Sequence, residues 1–218
     1  TGRSVTFRRR SRTKLYYGGI ERRLDELYAA YCLPAVPLSR EDVVVDCGAN
    51  VGELGVFLEG TVGRYVAVEP SVTEFQALTR NVKPENCVNA ALWHSDGSVE
   101  FFDGNDTGDS SIFEISNATS KSVVKTFTLP VLMDRLHIDR IRLLKLEAEG
   151  AEPEILEGAM SVLDRIDFIA ADCGFERGLK QESTLREVAN LLCANGFSMQ
   201  EFNYPRMAFL FKNRSVPN

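Results

Sequence analysis

The stretch Val43-Val44-Val45-Asp46-Cys47-Gly48-Ala49-Asn50-Val51-Gly52 constrains the fold of this chain more than any other. Successive β-branched apolar residues without polar alternation read as a strand covered on both faces, at the centre of an α/β sheet. An acid stands where the strand stops. Two glycines and an asparagine then make a tight turn, and Leu54, Val56, Phe57 and Leu58 open a short helix. The plainest reading is a turn that only reverses direction. Yet a buried strand, a glycine turn and a helix N-terminus together bring backbone groups to a ligand. Spacing narrows the ligand. A dinucleotide fingerprint has glycines at offsets 0, 2 and 5, so that a pyrophosphate can reach the helix end. Counted from Gly48, those positions hold Gly48, Asn50 and Glu53, and Glu53 would aim a negative charge at the phosphates. A dinucleotide-dependent oxidoreductase is disfavoured.

A length of 218 residues suits one α/β domain with a sizeable core. No apolar run approaches the roughly 20 residues that span a bilayer. The chain begins at Thr1 with no signal peptide and no initiator Met, which points to a piece of something longer. Its five cysteines (Cys32, Cys47, Cys87, Cys173, Cys193) are odd in number and far apart, matching no zinc or disulfide spacing. Reduced thiols and a cytoplasmic location are the expectation. Charge is uneven: residues 1–40 hold nine Lys/Arg against three Asp/Glu, whereas the whole chain carries −6. This basic arm could meet an anionic partner such as nucleic acid, a phosphorylated lipid or a glycan. The blander alternative, an Arg-studded strand edge, is preferred, because the acidic body would repel a long nucleic acid.

Along the chain, Val5 to Tyr17 reads as an extended or paired segment. An amphipathic helix follows, with Ile20, Leu24, Leu27, Tyr28 and Tyr31 on one face, read as packing. Tyr65-Val66-Ala67-Val68 is a second buried strand, ending in Glu69-Pro70. Ser71-Val72-Thr73-Glu74 has capping-box spacing for a helix that buries Phe75, Leu78 and Val82. Glu69 thus stands at a strand end, where an acceptor-only carboxylate suits both hydroxyls of a ribose; the alternative is a helix-dipole carboxylate. Cys87 to Leu92 reads as strand three, and the small Ala90 and Ala91 would let a flat adenine lie against backbone. Val99 to Phe102 is an added strand. The polar stretch 103–122, with Gly104 and Gly108, is the expected acceptor-side lid. Val124 to Leu129 reads as a strand and Val131 to Leu136 as a helix. Ile141 to Leu146 is a buried strand whose continuation places Lys145, Glu147 and Glu149 on one face by alternation. A lysine there must be paired or near the strand end. Pro153 behind Glu152 starts a helix. Ile166 to Asp172 is a strand ending in an acid, and Ser183 caps a helix stopped by Asn195-Gly196. Phe197 to Phe202 and Met207 to Phe211 close as an antiparallel pair around Asn203-Tyr204-Pro205-Arg206.

The pattern Asp46-x-Gly48-x-Asn50-x-Gly52 resembles the first motif of the class I methyltransferases that use S-adenosylmethionine, a ligand with a sulfonium cation and an amino-acid end. Four stretches together resemble the FkbM family of those enzymes: Val45 to Gly52, Val68-Glu69-Pro70, Asn89-Ala90-Ala91-Leu92, and Leu144 to Glu152 with Leu156-Glu157-Gly158-Ala159. The last is the most specific, and the likeness spans about residues 40–212. It implies a Rossmann-like α/β fold with a seven-stranded, mostly parallel sheet, one antiparallel strand and helices on both faces. Residues 1–40 would be a basic extension and 41–218 the S-adenosylmethionine-dependent methyltransferase domain. The resemblance further implies methyl transfer to a hydroxyl of a sugar, glycan or natural-product acceptor. One departure stands out: the family usually has Asp where this chain has Glu147.

Cofactor contacts are expected from Asp46, Gly48, Ala49, Asn50 and Gly52, from Glu69, Pro70 and Ser71, and from Ala90 and Ala91. Catalytic roles are expected for Glu147, as base or acceptor clamp, with Lys145 and Glu149. The competing reading of the Lys145–Glu147 pair is a structural ion pair. Asp172, His94 and His137 are further base candidates, with a surface histidine the preferred reading of His94. Glu147 and Asp172 could hold Mg²⁺ with water, but no ligand spacing calls for a metal. The rival functions are a nucleic-acid methyltransferase, resting on the basic arm, and a methyltransferase-like module without turnover.

Overall fold

The computed structural model describes residues 2–104, 110–116 and 118–217. In chain order its elements are a 3-10 helix at Arg10–Tyr16, α1 (Ile20–Ala30), β1 (Val43–Cys47), α2 (Glu53–Leu58), β2 (Arg64–Val68), α3 (Val72–Asn81), β3 (Cys87–Val88), β4 (Ala91–Leu92), β5 (Gly97–Gly104) and β6 (Ala118–Phe127). There follow α4 (Leu129–Leu136), β7 (Ile141–Leu146), α5 (Glu152–Gly158), β8 (Ile166–Asp172), β9 (Phe175–Arg177), β10 (Glu182–Ser183), α6 (Leu185–Ala194), β11 (Phe197–Asn203) and β12 (Ala208–Asn213). The main sheet has the order β11-β12-β8-β7-β1-β2-β3. β12 is antiparallel to both its neighbours and the other pairings are parallel. This is the expected seven-stranded α/β sheet with one antiparallel strand.

Residue alternation assigns the two faces. Val45, Cys47, Val66, Val68, Leu144 and Leu146 point into a core shared with Leu132 of α4, Ile155 of α5 and Val188 of α6. Val44, Ala67, Leu143, Phe168 and Ala170 point the other way, onto Tyr31, Leu54 and Leu58 of α2, and Leu78 of α3. A side chain such as Leu78, fully buried, contributes about 1.5–3 kcal/mol by leaving water. Register places the strand ends level: Cys47 lies opposite both Val68 and Leu146, and Leu146 opposite Ala171. The segments after β1, β2, β7 and β8 therefore share one edge. The chain order reverses between β1 and β7, and open α/β sheets bind ligands at such a switch point.

Four local expectations are corrected. The arm is not an extended, strand-paired segment: residues 10–16 form a 3-10 helix, and residues 2–9 belong to no strand. Arg9 and Arg12 turn inward, whereas Arg3, Arg8 and Arg10 stay exposed. Arg9 donates to Glu74 at 2.7 Å, while Arg12 and Arg23 both pair with buried Glu53. Second, strand three breaks in two. Ala90 N donates to Val88 O, which ends the ladder, and Ala91–Leu92 then pairs with β6 in a separate sheet of order β4-β6-β5. Third, Ser71 is the N-cap of α3, but its side chain makes no capping bond, and Glu74 is taken by Arg9. Fourth, much of the polar stretch 103–122 is a hairpin, since β5 and β6 pair from Gly97↔Thr126 to Gly104↔Ala118. The lid expected there falls partly on residues 105–109 and 117, including Gly108, outside the described residues. All five cysteines are free thiols. Among the described residues no helix is long and apolar enough to cross a membrane.

Candidate active site

The turn after β1 is shaped by close approach. Gly48 has φ +75, and a Cβ there would lie 1.8 Å from the Glu147 carbonyl oxygen, so only glycine lets the ends of β1 and β7 meet. The N–H groups of Gly48 and Ala49 both donate to Val68 O, at 3.0 and 3.1 Å, and Glu147 N donates to Cys47 O at 3.0 Å. Asn50 takes φ +51, a left-handed conformation that asparagine tolerates. Its N–H donates to Glu69 Oε2 at 2.8 Å, and Ser71 N donates to Glu69 Oε1 at 2.8 Å. Each oxygen of Glu69 keeps a further lone pair for a ligand. Burial raises this carboxyl to about 7 against those two backbone bonds. Asn89 Nδ2 donates to the carbonyls of Glu69 and Pro70, which fixes the strand-end turn.

Opposite lies an ionic network made of side chains. Lys145 Nζ donates to Asp46 Oδ1 at 2.8 Å and to Gly48 O at 3.3 Å, and it lies 3.0 Å from Glu147 Oε2. Tyr65 OH donates to the other oxygen of Asp46. Arg206 pairs with Glu147, donates to Tyr31 OH at 3.1 Å and places Nε 2.8 Å from Asp172 Oδ2. The fully buried Tyr31 ring lies under both cations, 4.9 Å from Lys145 Nζ and 5.7 Å from Arg206 Cζ. Burial works to lower the Lys145 ammonium, but Asp46 and Glu147 override it and raise it above its ordinary value. Burial likewise works to raise Glu147, and the Lys145 and Arg206 cations win, holding that carboxyl at about 2.

Between the two ends is a cavity of about 450 Å³. Asp46, Gly48, Ala49, Asn50, Glu69 and Pro70 line it from the first two strand ends, with Ala91 from β4 and Ala90 just before it. Lys145, Glu147 and Glu149 line it from β7 and the loop beyond. Glu149 has φ +51, so alternation stops before it, and its carbonyl accepts a bond from Ser111 Oγ at 3.0 Å. Two expected contacts are not among the lining residues. A Cβ on Gly52 would press on Leu78 at 2.6 Å and Val82 at 2.8 Å, so that glycine serves the packing of α3. Ser71 acts through its backbone on Glu69. His94 and His137 are exposed and stand off the cavity.

Several wall residues were not anticipated: Arg12, Leu15 and Arg23 from the arm and α1, then Glu176 from β9 and Arg206 from the β11–β12 turn. The rule that ligands sit beyond carboxyl strand ends would have drawn attention to Glu176, four residues past Asp172. Arg206 and the arm carry no such local sign. Glu53, whose partners Arg12, Arg23 and Tyr16 anchor the arm to α2, is buried; that burial works to raise its carboxyl, and Arg23 with Arg12 and Tyr16 hold it below the ordinary range. Among the described residues no cluster of three or more His, Cys, Asp and Glu is arranged to hold a metal ion.

The residues present fit an S-adenosylmethionine-type ligand. Glu69 offers acceptors to a ribose, Ala90 and Ala91 offer a flat wall, and Asn50 Oδ1 is a buried acceptor without a protein partner at the turn. Comparison with known proteins agrees. The methyltransferase FkbM domain matches residues 46–199. Methyltransferase 1 of Beauveria bassiana (strain ARSEF 2860) is 24% identical over 160 residues, which cover 61% of this chain and 64% of that protein. A methyltransferase FkbM from Methylobacillus flagellatus KT superposes with a TM-score of 0.53 at 17% identity, over 82% of this chain and 45% of that one. The methyltransferase domain of METTL16 gives a TM-score of 0.54 at 14% identity, over 98% and 74% of the two chains. At these identities the structural likenesses show the fold alone. The chain spans less than two thirds of the Beauveria protein and less than half of the Methylobacillus one.

Proposed function

Since this chain belongs to the FkbM methyltransferase family, we propose that it binds S-adenosylmethionine and methylates a hydroxyl oxygen of a sugar, glycan or natural-product acceptor. One observation carries the reading: a single cavity joins the Asn50–Glu69–Ala90 cradle to the acidic end at Glu147, Glu149 and Glu176. The bound cofactor would supply a methyl carbon already activated by a sulfonium. The protein's share of the work is then mainly alignment. Glu69 would hold the ribose hydroxyls, with its oxygens aimed by Asn50 N and Ser71 N. Ala90 and Ala91 would bound the adenine.

Lys145 is a positioning residue that orients Asp46 and Glu147 at once. Glu147 would serve as acceptor clamp. A carboxyl at about 2 is too weak a base to match a hydroxyl near neutral pH. The rival reading as a nucleic-acid enzyme rested on the basic arm, and Arg3, Arg9, Arg12 and Arg23 of that arm pair with Glu21, Glu74 and Glu53.

The test is calorimetric binding of S-adenosylmethionine. Glu69→Ala should weaken it by about 10–100-fold, the equivalent of losing charged hydrogen bonds worth roughly 1.5–3 kcal/mol. Unchanged affinity would sink the cofactor assignment. Methyl transfer to a panel of glycosides separates an enzyme from a module that only binds.

A further inference from the structure

We propose that Glu176 is the catalytic base that takes the proton from the acceptor hydroxyl; this rests on the hydroxyl-acceptor reading above. Its position is fixed on both sides. Gly174 N donates to Asp172 Oδ1 at 3.0 Å, which holds the turn out of β8. Arg177 NH1 donates to Gly150 O at 2.6 Å and to Glu154 Oε2 at 2.8 Å, while its guanidinium covers the Phe113 ring at 4.2 Å. With Arg177 anchored toward the loop after β7, alternation along β9 turns Glu176 to the opposite side. There it lines the same cavity as Glu147 and Arg206.

Glu176 also differs from the other acids of that wall. Asp46 and Glu147 are tied to Lys145, and Glu53 to two arginines. Both oxygens of Glu69 accept backbone bonds. The Glu176 side chain makes no hydrogen bond or ion pair with any described residue. The nearby cation is already engaged, since Arg206 serves Glu147, Tyr31 and Asp172. The charged groups facing Glu176 are Asp172 from β8, Glu147 from the end of β7, Glu152 from α5 and Arg206 from the β11–β12 turn. Burial, then Asp172 and Glu147, push its carboxyl up to about 8 against the pull of Arg206. A base is most effective when its conjugate acid titrates near the working pH.

The step balances without a further reactant. The acceptor oxygen bonds to the methyl carbon as the carbon–sulfur bond breaks, and that electron pair stays on sulfur. The hydroxyl proton passes to a Glu176 oxygen and leaves to solvent when the site opens.

The experiment joins two readouts on the full chain. Carbon-13 titration of glutamate carboxyls, with the Glu176 signal identified by its loss in Glu176→Gln, should show a midpoint near 8. Turnover is followed with methyl-labelled S-adenosylmethionine and a panel of methyl and nitrophenyl glycosides. Wild-type kcat should rise tenfold per pH unit and level off near 8. Glu176→Gln should lower kcat by about 10²–10⁴-fold and abolish that limb, with affinity for S-adenosylhomocysteine unchanged. Glu176→Asp should recover part of the rate.

A midpoint in the ordinary carboxylate range overturns the proposal. So does full turnover in Glu176→Gln, or a reduced rate whose pH limb persists. If the wild type binds S-adenosylhomocysteine but methylates no glycoside, the hydroxyl reading itself falls, and the base assignment with it.

Discussion

At the Glu69 end of the cavity a carboxylate is gripped by the N–H groups of Asn50 and Ser71. At the Glu147 end a carboxylate is gripped by the side chains of Lys145 and Arg206. Both acids are held by hydrogen-bond donors, yet their acidities move apart, to about 7 and about 2. Neutral backbone dipoles do not offset burial at Glu69, whereas two full cations more than offset it at Glu147. The Glu69 end depends on main-chain geometry, which survives most substitutions, and the Glu147 end depends on individual side chains.

The largest break in this contrast is Lys145→Met. It leaves Asp46 and Glu147 facing a buried space without their shared cation, and removal of one partner from such a network destabilises by about 3–5 kcal/mol. Urea unfolding at pH 7 measures it, and a loss below about 1 kcal/mol would show that the network contributes little.

The next effect is smaller and opposite in sign at the two ends. Glu147 lies below its ordinary value, so its contribution to stability is present above pH 4.5 and is lost as pH falls through about 2. Glu69 lies above its ordinary value, so its contribution is full below pH 4.5 and is lost as pH rises through about 7. Unfolding free energy measured from pH 2 to 8 should lose part of its acid limb in Glu147→Gln and part of its neutral limb in Glu69→Gln. Each change should be about 1–3 kcal/mol. Identical profiles for the two variants would erase the distinction between the ends.

The mildest change is Asn50→Gly. Glycine accepts φ +51 and keeps the N–H bond to Glu69, so stability should stay within about 1 kcal/mol. S-adenosylmethionine affinity, read by calorimetry, should fall several-fold through the missing amide. A large stability loss would mean that the Asn50 side chain, rather than the main chain, holds the turn.

The same contrast explains what could be read from the residues in order. Asp46 to Gly52 and Glu69 were legible because a strand end, a turn and a helix start lie within a few positions of one another. The Leu144–Glu152 stretch was legible for the same reason. The Arg206 side of the cavity was not. Arg206 meets Glu147 across 59 residues and Tyr31 across 175, and neither separation leaves a periodic trace. Tyr31 looked like packing on a helical stripe and is packed, yet its hydroxyl also accepts from Arg206. The arm was misread for a similar reason. Its arginines resembled a solvated edge because Glu53 and Glu74 lie 41 and 65 residues further along. Even the helix start at Ser71 shows the effect: the spacing of a capping box was present, but Arg9 competes successfully for Glu74.

The chain of charges from Asp46 through Lys145, Glu147 and Arg206 to Asp172 has one more implication. Two cations and three carboxylates leave a formal excess of one negative charge in a region of low dielectric. If S-adenosylmethionine binds as proposed, its sulfonium would offset that charge and a neutral thioether would not. On that reading the network would distinguish by charge between S-adenosylmethionine and S-adenosylhomocysteine.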